Sequence, residues 1–372
     1  MDFYINDTIA VGKRLNNSKR NYLLINRFQA KHIPCSPSQT FKMYDDFAIL
    51  VMEKVREEKL LIIGFAETAT AISMHVASYF PDSFYLQTTR EYPGVYQDFL
   101  IFSEPHSHAT EQKICSKELS EIIDSVSAVL IIDDEISTGN TVINLIDKIN
   151  EKYSLEGKKL YVASLLNRKG SLNKEAFDQK GITNIALMCE DTQDFDYLNN
   201  YQYSEPLKIN SLPKSSDENI FNLNLINNPR IGFYVKDYFY KLNQEIDCLF
   251  YVLDIHAKKI VVIGTEEYMY PSLLLAKKIE TECGCTVKCH STTRSPISIC
   301  SNTMYPIFNG YILHSAYDKE RTTYLYNIDG YDTAIIFTDS DTNKSAFYED
   351  IASVLKQNGT NKVIFVEATY DK

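Results

Sequence analysis

Val129-Leu130-Ile131-Ile132-Asp133-Asp134-Glu135-Ile136-Ser137-Thr138-Gly139-Asn140-Thr141 is the stretch that decides how this chain is read. Four apolar residues run into the carboxylates of Asp133 and Asp134, and Glu135-Ile136 then leads into a short Ser-Thr-Gly-Asn-Thr turn. Val142, Leu145, Ile146 and Ile149 follow at the spacing of one apolar helix face over 141–153. This predicts a buried strand, a tight turn and a helix N-terminus. The N–H groups of such a terminus form an anion site, and Gly139 lets the backbone approach a phosphate closely. Ser137, Thr138 and Thr141 add hydroxyl donors, with Asn140 between them. The carboxylates of Asp133 and Asp134 suit ribose hydroxyls and can support a metal-bound sugar. A Walker phosphate loop is excluded because no Gly-Lys-Ser/Thr run is present, and a nicotinamide-type glycine fingerprint is absent too. The plainer alternative is an ordinary strand-to-helix turn capped by Ser and Asp.

Outward from this stretch, further strand-like runs lie at Leu60–Ile63, Ser83–Leu86, Phe99–Phe102 and Leu160–Leu165, with another at Ile182–Met188. Thr68–Tyr79 has helical spacing through Ala69, Ile72, Val76 and Tyr79. Continuous apolar strands alternating with amphipathic helices predict an α/β fold around a buried parallel sheet. After the first strand stands Gly64-Phe65-Ala66-Glu67-Thr68-Ala69-Thr70, where Thr68 also fits a helix cap. Thr88–Gln112 carries Arg90, Tyr92, Glu104, His106, His108 and Glu111. These suit proton handling or anion contact, and Glu104, His106 and His108 also read as metal ligands or as solvated loop residues. Cys283, Cys285, Cys289 and His290 bring zinc to mind, but their spacing matches no common structural site.

The second half reads as a faded copy of the first. Lys59–Gly64 matches Lys259–Gly264, and Glu67 falls opposite Glu267. Thr88-Thr89-Arg90 matches Thr292-Thr293-Arg294, Ala128–Asp134 matches Thr333–Asp339, and Lys159–Leu165 matches Lys362–Ala368. The chemistry is not copied. Opposite Asp133–Gly139 stand Thr338–Lys344, without the glycine and with one acidic residue of the pair lost. A polar stretch with Pro206 and Pro213, from Asp191 to Asn219, reads as a linker. Two domains are expected, 1–205 and 206–372.

Composition bounds the rest. A length of 372 residues suits two domains, and 44% hydrophobic with 23% charged residues is ordinary for a globular protein. No apolar run approaches a membrane span, and Met1–Lys13 lacks the apolar core of a signal peptide. A cytoplasmic protein with reduced thiols is expected from eight widely spread cysteines. A net charge of −11 without a basic patch disfavours DNA and RNA. A phosphorylated small molecule is still accommodated by local N–H groups and a metal.

The thirteen-residue stretch resembles the phosphoribosyl pyrophosphate (PRPP) signature of type I phosphoribosyltransferases, with Glu135 where that family usually has a small or aliphatic residue. Arg27–Pro34, Gly64–Thr70, Glu104–Ala109 and the tetrapeptide Thr293-Arg294-Ser295-Pro296 narrow the resemblance. They are similar to the phosphoribosyltransferase–TRSP proteins of tellurium-resistance and stress gene clusters, which are placed in a pathway making a nucleoside-like metabolite. The resemblance implies a type I phosphoribosyltransferase fold, a parallel sheet with flanking helices and a hood over Thr88–Gln112, plus a degenerate second α/β domain. It implies transfer of phosphoribose from PRPP to a nucleobase-like acceptor, with magnesium entering through PRPP. It implies pyrophosphate held by Ala66, Glu67 and Thr68, the 5′-phosphate by Ser137–Thr141, and ribose by Asp133 and Asp134. Arg90, His106 and His108 are then expected at the reacting centre. A homodimer and association with pathway enzymes stay open. So does a non-catalytic PRPP sensor or a scaffold, which turnover to pyrophosphate distinguishes from an enzyme.

Overall fold

The structure is a computed structural model that describes residues 3–15, 21–92, 98–102, 111–115, 117–168, 170, 172–190, 195–209 and 219–370. The chain forms two compact units that interleave in sequence. One comprises residues 44–192, 225–243 and 370–372, the other residues 1–43, 193–224 and 244–369. The division expected at 205/206 is a single cut, whereas each compact unit draws on both halves of the chain.

The unit built around residues 44–192 holds a six-stranded sheet. Its five parallel strands are Leu60–Gly64, Phe84–Gln87, Ala128–Ile136, Lys159–Arg168 and Ile182–Glu190. Taken in chain order as first to fifth, they lie in the sheet as second, first, third, fourth, fifth. Phe233–Tyr234 closes the edge, antiparallel to Phe84–Tyr85, with the Phe233 ring stacked 5.0 Å from Tyr85. The first strand is fully buried, as an apolar run covered on both faces must be. Gly64 ends it, where any Cβ would lie 2.0 Å from Ser73 Oγ, so the strand can approach the following helix only through glycine.

That helix is Thr70–Ala77, shorter than its apolar spacing predicts, and the helix after the acidic pair is Asn140–Tyr153. Phe99–Phe102 is a strand but not a member of the parallel sheet. It pairs with Gln112–Cys115 in a separate antiparallel hairpin, and its exposed Ile101 fits a two-stranded element better than a buried sheet. Helices Pro37–Lys54, Leu119–Ser125 and Lys174–Gln179 complete elements that periodicity alone does not single out.

In the other unit four parallel strands, Lys259–Gly264, Thr286–Ser291, Thr333–Thr338 and Lys362–Tyr370, again lie in the order second, first, third, fourth. Asn219–Leu225 takes the remaining edge. The registers correspond as well. Leu60 pairs with Ala128 and Ala128 with Lys159, while Ile260 pairs with Thr333 and Thr333 with Lys362. Both units place an antiparallel hairpin between second and third strands, here Gly310–His314 with Thr322–Tyr326. The N-terminal hairpin of Ile9–Lys13 and Tyr22–Asn26 belongs to this unit and packs Ala10 and Ile25 with Ile297, Ile307 and Tyr326. No helix among the described residues is long and apolar enough to cross a membrane.

Candidate active site

Where the strand order of an open parallel sheet reverses, two neighbouring loops diverge at the carboxyl ends and leave a crevice, the usual ligand position in such sheets. In the first-described unit the reversal falls between Leu60–Gly64 and Ala128–Ile136. Gly64 pairs with Ile132, and the Phe65 N–H donates to the Ile132 carbonyl at 2.9 Å. Ala66, Glu67 and Thr68 therefore emerge beside Asp133 and Asp134. Thr68 Oγ1 donates to Asp134 Oδ1 at 2.5 Å, which ties the two loops together. Glu67 is buried and Thr68 partly exposed.

The acidic pair is held under electrostatic tension. Burial, then the neighbouring Asp134 carboxylate, pushes the Asp133 carboxyl well above the usual carboxylate range. The Asp134 N–H donates to Asp133 Oδ1 at 2.9 Å, a partial compensation. Glu135 does not add to this load unopposed, because Arg168 Nε sits 2.6 Å from its Oε1.

The turn that follows has the geometry its glycine requires. Gly139 has φ 77° and caps the Asn140–Tyr153 helix, and a Cβ there would strike the Phe177 ring at 2.6 Å. The Thr138 carbonyl accepts the Asn173 N–H at 3.0 Å, and the Asn140 N–H donates to Thr138 Oγ1 at 3.3 Å. Ser137, Thr138, Asn140 and Thr141 all keep some solvent exposure.

Arg90 follows Thr88 and Thr89, which are fixed from both sides. Thr88 Oγ1 accepts the Ala66 N–H at 2.8 Å and donates to Gln112 Oε1 at 2.9 Å, and Thr89 bridges Lys113. Lys113 Nζ lies 3.0 Å from the centre of the Tyr92 ring. Thr88, Arg168 and Phe177 were not among the expected site residues. The repeated Thr-Thr-Arg tripeptide carries a signal for Thr88, whereas nothing local announces Arg168, which reaches Glu135 only through strand pairing. His106, His108 and Glu104 lie outside the described residues. Among the described residues no three or more His, Cys, Asp or Glu gather as a metal site, so Cys283, Cys285, Cys289 and His290 do not form one.

Comparison with known proteins bears on this arrangement. The family model for phosphoribosyl transferase matches residues 9–187, and that for the TRSP domain C-terminal to it matches residues 229–355. The chain belongs to the phosphoribosyltransferase–TRSP family. It is a phosphoribosyltransferase, with a second α/β domain that carries the TRSP tetrapeptide. No curated protein matches it. Among solved structures it is similar to adenine phosphoribosyltransferase of Trypanosoma brucei, at 16% identity over 42% of this chain and 66% of that one, TM-score 0.32. The Giardia lamblia enzyme of the same name gives 13% identity over 50% and 95%, TM-score 0.36. Orotate phosphoribosyltransferase of Mycobacterium tuberculosis gives 12% over 50% and 91%, TM-score 0.30.

The TRSP domain repeats the scaffold of the site but fills it with its own side chains. The Glu266 N–H donates to Thr292 Oγ1 at 3.0 Å, as that of Ala66 does to Thr88. Arg294, opposite Arg90, is turned onto Glu266 at 2.5 Å and Glu267 at 3.0 Å, with all three side chains nearly inaccessible. Arg321 also reaches Glu266, at 2.9 Å. Helix Lys344–Gln357 starts from Asn343 with φ −136°, so Asn343, and not Lys344, stands at the cap that Gly139 holds. The left-handed turn is gone.

Two outcomes follow from these geometries. Asp133→Asn is expected to stabilise the free protein by about 1 kcal/mol near neutral pH, because it removes a poorly compensated charge. The folded carboxyl titrates above its unfolded value, so its contribution is full below the unfolded value of about 4 and is lost as pH rises through the folded one. The advantage of the variant in urea unfolding should therefore grow from acid to neutral pH; a pH-independent difference contradicts the assignment. Arg294→Ala should cost about 3 kcal/mol in the same assay, because it leaves Glu267 buried without this partner. A change below about 0.5 kcal/mol would show that the arginine braces nothing.

Proposed function

We propose that the crevice between Gly64–Thr70 and Asp133–Thr141 binds PRPP and transfers its phosphoribosyl group to a nucleobase-like acceptor, releasing pyrophosphate, in the making of a nucleoside-like metabolite. The observation that carries this reading is the left-handed Gly139 turn at a helix N-terminus, shortly after a partly buried acidic pair.

The turn of Ser137, Thr138, Gly139, Asn140 and Thr141 anchors the 5′-phosphate through N–H and hydroxyl donors. Asp133 and Asp134 hold the ribose hydroxyls. Their negative charge stabilises positive charge developing on the sugar ring. Ala66, Glu67 and Thr68 face the pyrophosphate end, and Arg90 supplies a cation there. His106 and His108 are assigned to the reacting centre on the family resemblance. The bond between the anomeric carbon and the pyrophosphate oxygen breaks as a nitrogen of the acceptor bonds to that carbon from the opposite face. The acceptor's proton then leaves to solvent or to a neighbouring side chain.

Magnesium fits this donor set. Asp133 and Asp134 offer adjacent hard oxygens beside Thr68, too few for a protein-only site, and the raised Asp133 carboxyl is a group a cation would relieve. These residues would hold the ion through PRPP. When bound, it neutralises pyrophosphate and improves the leaving group.

A thermal-shift screen of nucleobases with PRPP and magnesium tests the proposal, followed by pyrophosphate release with any base that adds stability. PRPP with magnesium should raise the unfolding temperature, and one class of base should give pyrophosphate at a rate at least 100-fold above the base-free rate. Stabilisation without pyrophosphate from any base would make the chain a PRPP sensor instead. No stabilisation at all would remove the PRPP assignment.

A further inference from the structure

Cys35 and Cys289 are far apart in sequence and meet in the unit that contains the TRSP residues. They form a backbone pair in which each N–H donates to the other's carbonyl, at 3.1 and 2.9 Å. A hydrogen-bonded antiparallel pair holds its Cα atoms about 5.5 Å apart, which is the usual separation across a disulfide. The two Sγ atoms are already 3.8 Å apart, and both residues are buried. Closure takes the sulfurs from that separation to a bonding distance of about 2.05 Å.

The two thiols are unequal. Burial raises the Cys35 thiol, but hydrogen bonds with Cys289 and Thr40 outweigh it and leave Cys35 below its ordinary value. Burial and then Cys35 push Cys289 well up. Thr40 Oγ1 lies 2.9 Å from Cys35 Sγ and 3.4 Å from Cys289 Sγ, a hydroxyl shared by both. An attacking sulfur paired with a protonated partner is the arrangement that forms a disulfide stepwise.

Cys35 also ends a segment that braces the TRSP domain. Lys31, wholly buried, donates its ammonium group to the carbonyls of Glu266 at 2.6 Å and Thr292 at 3.0 Å. These carbonyls belong to the two loops that the ion network of Glu266 and Arg294 occupies. A covalent link at Cys35 would hold this brace in place.

We propose that Cys35 and Cys289 are a peroxide-responsive pair, reduced at rest, whose closure to a disulfide staples the N-terminal segment to the Thr286–Ser291 strand. The oxidant is hydrogen peroxide, a small uncharged molecule. The Cys35 thiolate attacks one peroxide oxygen, giving a sulfenic acid and hydroxide. Cys289 sulfur then attacks the Cys35 sulfur, the S–O bond breaks, and the Cys289 proton leaves with hydroxide as water. In sum two thiols and one peroxide give one disulfide and two waters.

The test treats the full chain with a modest excess of hydrogen peroxide, quenches it, alkylates under denaturing conditions and maps peptides by mass spectrometry. A Cys35–Cys289 linked peptide, two hydrogens lighter than the pair of free peptides, is expected. The unfolding temperature should rise by on the order of 5 °C, and dithiothreitol should reverse both effects. Cys289→Ser should lose the rise. If both cysteines remain alkylatable while the exposed Cys189, Cys248 or Cys283 is oxidised, the proposal is overturned, and so it is if the linked peptide forms without a reversible rise. Peptide mapping of the unmodified chain decides the matter even if the serine variant does not fold.

Discussion

Everything at the candidate site depends on one neighbour relation, the parallel pairing of Leu60–Gly64 with Ala128–Ile132 at the point where the sheet reverses its order. The pairing fixes where both strands end. It delivers Ala66, Glu67 and Thr68 beside Asp133 and Asp134, and the Thr68–Asp134 hydrogen bond locks the two loops in that relation. Gly64 makes the close approach of strand and helix possible on one side, and Gly139 makes the tight left-handed turn possible on the other. The cost is a carboxyl at Asp133 that burial and Asp134 disfavour when charged. On the proposed function, a cation or a positively charged sugar ring would relieve that cost.

The TRSP domain shows the same scaffold with different side chains at the corresponding loops. Strand order, register and the hydrogen bond from the loop N–H to the following threonine are all retained. What changed are side chains. A glutamate stands at the place of Ala66, and the arginine that follows the Thr-Thr pair turns inward to neutralise it. Arg321 and Lys31 add their own contacts to the same residue, Arg321 at the carboxylate and Lys31 at the carbonyl. The corresponding loops of this domain are filled by an internal ion network. Removal of Arg294 leaves the buried Glu267 without this partner, while Glu266 retains Arg321.

Much of this was legible in the sequence because it rests on local patterns. The strand–turn–helix around Asp133–Thr141 is continuous in the chain, and so is each half of the repeat. The repeat even specifies pairing, since Ala128 with Lys159 and Thr333 with Lys362 occupy matching registers. What stayed hidden depends on distant residues. Phe99–Phe102 has the composition of a sheet strand, and only its antiparallel partner Gln112–Cys115 removes it from the sheet. Arg168 neutralises Glu135 across two strands, and Phe177 sets the need for glycine at 139 from a later helix. The exchange of segments between units, with 1–43 joining the unit of the C-terminal sheet and 225–243 the unit of the N-terminal one, has no compositional mark at all.

The central claim is that a single PRPP site exists per chain, in the phosphoribosyltransferase domain, and depends on the acidic pair. Titration calorimetry of the full chain with PRPP and magnesium measures this directly. The account predicts one PRPP bound per chain, and a loss of at least 100-fold in affinity when Asp133 and Asp134 are both changed to Asn. Two sites per chain, or a double variant that binds as tightly as the parent, would contradict it.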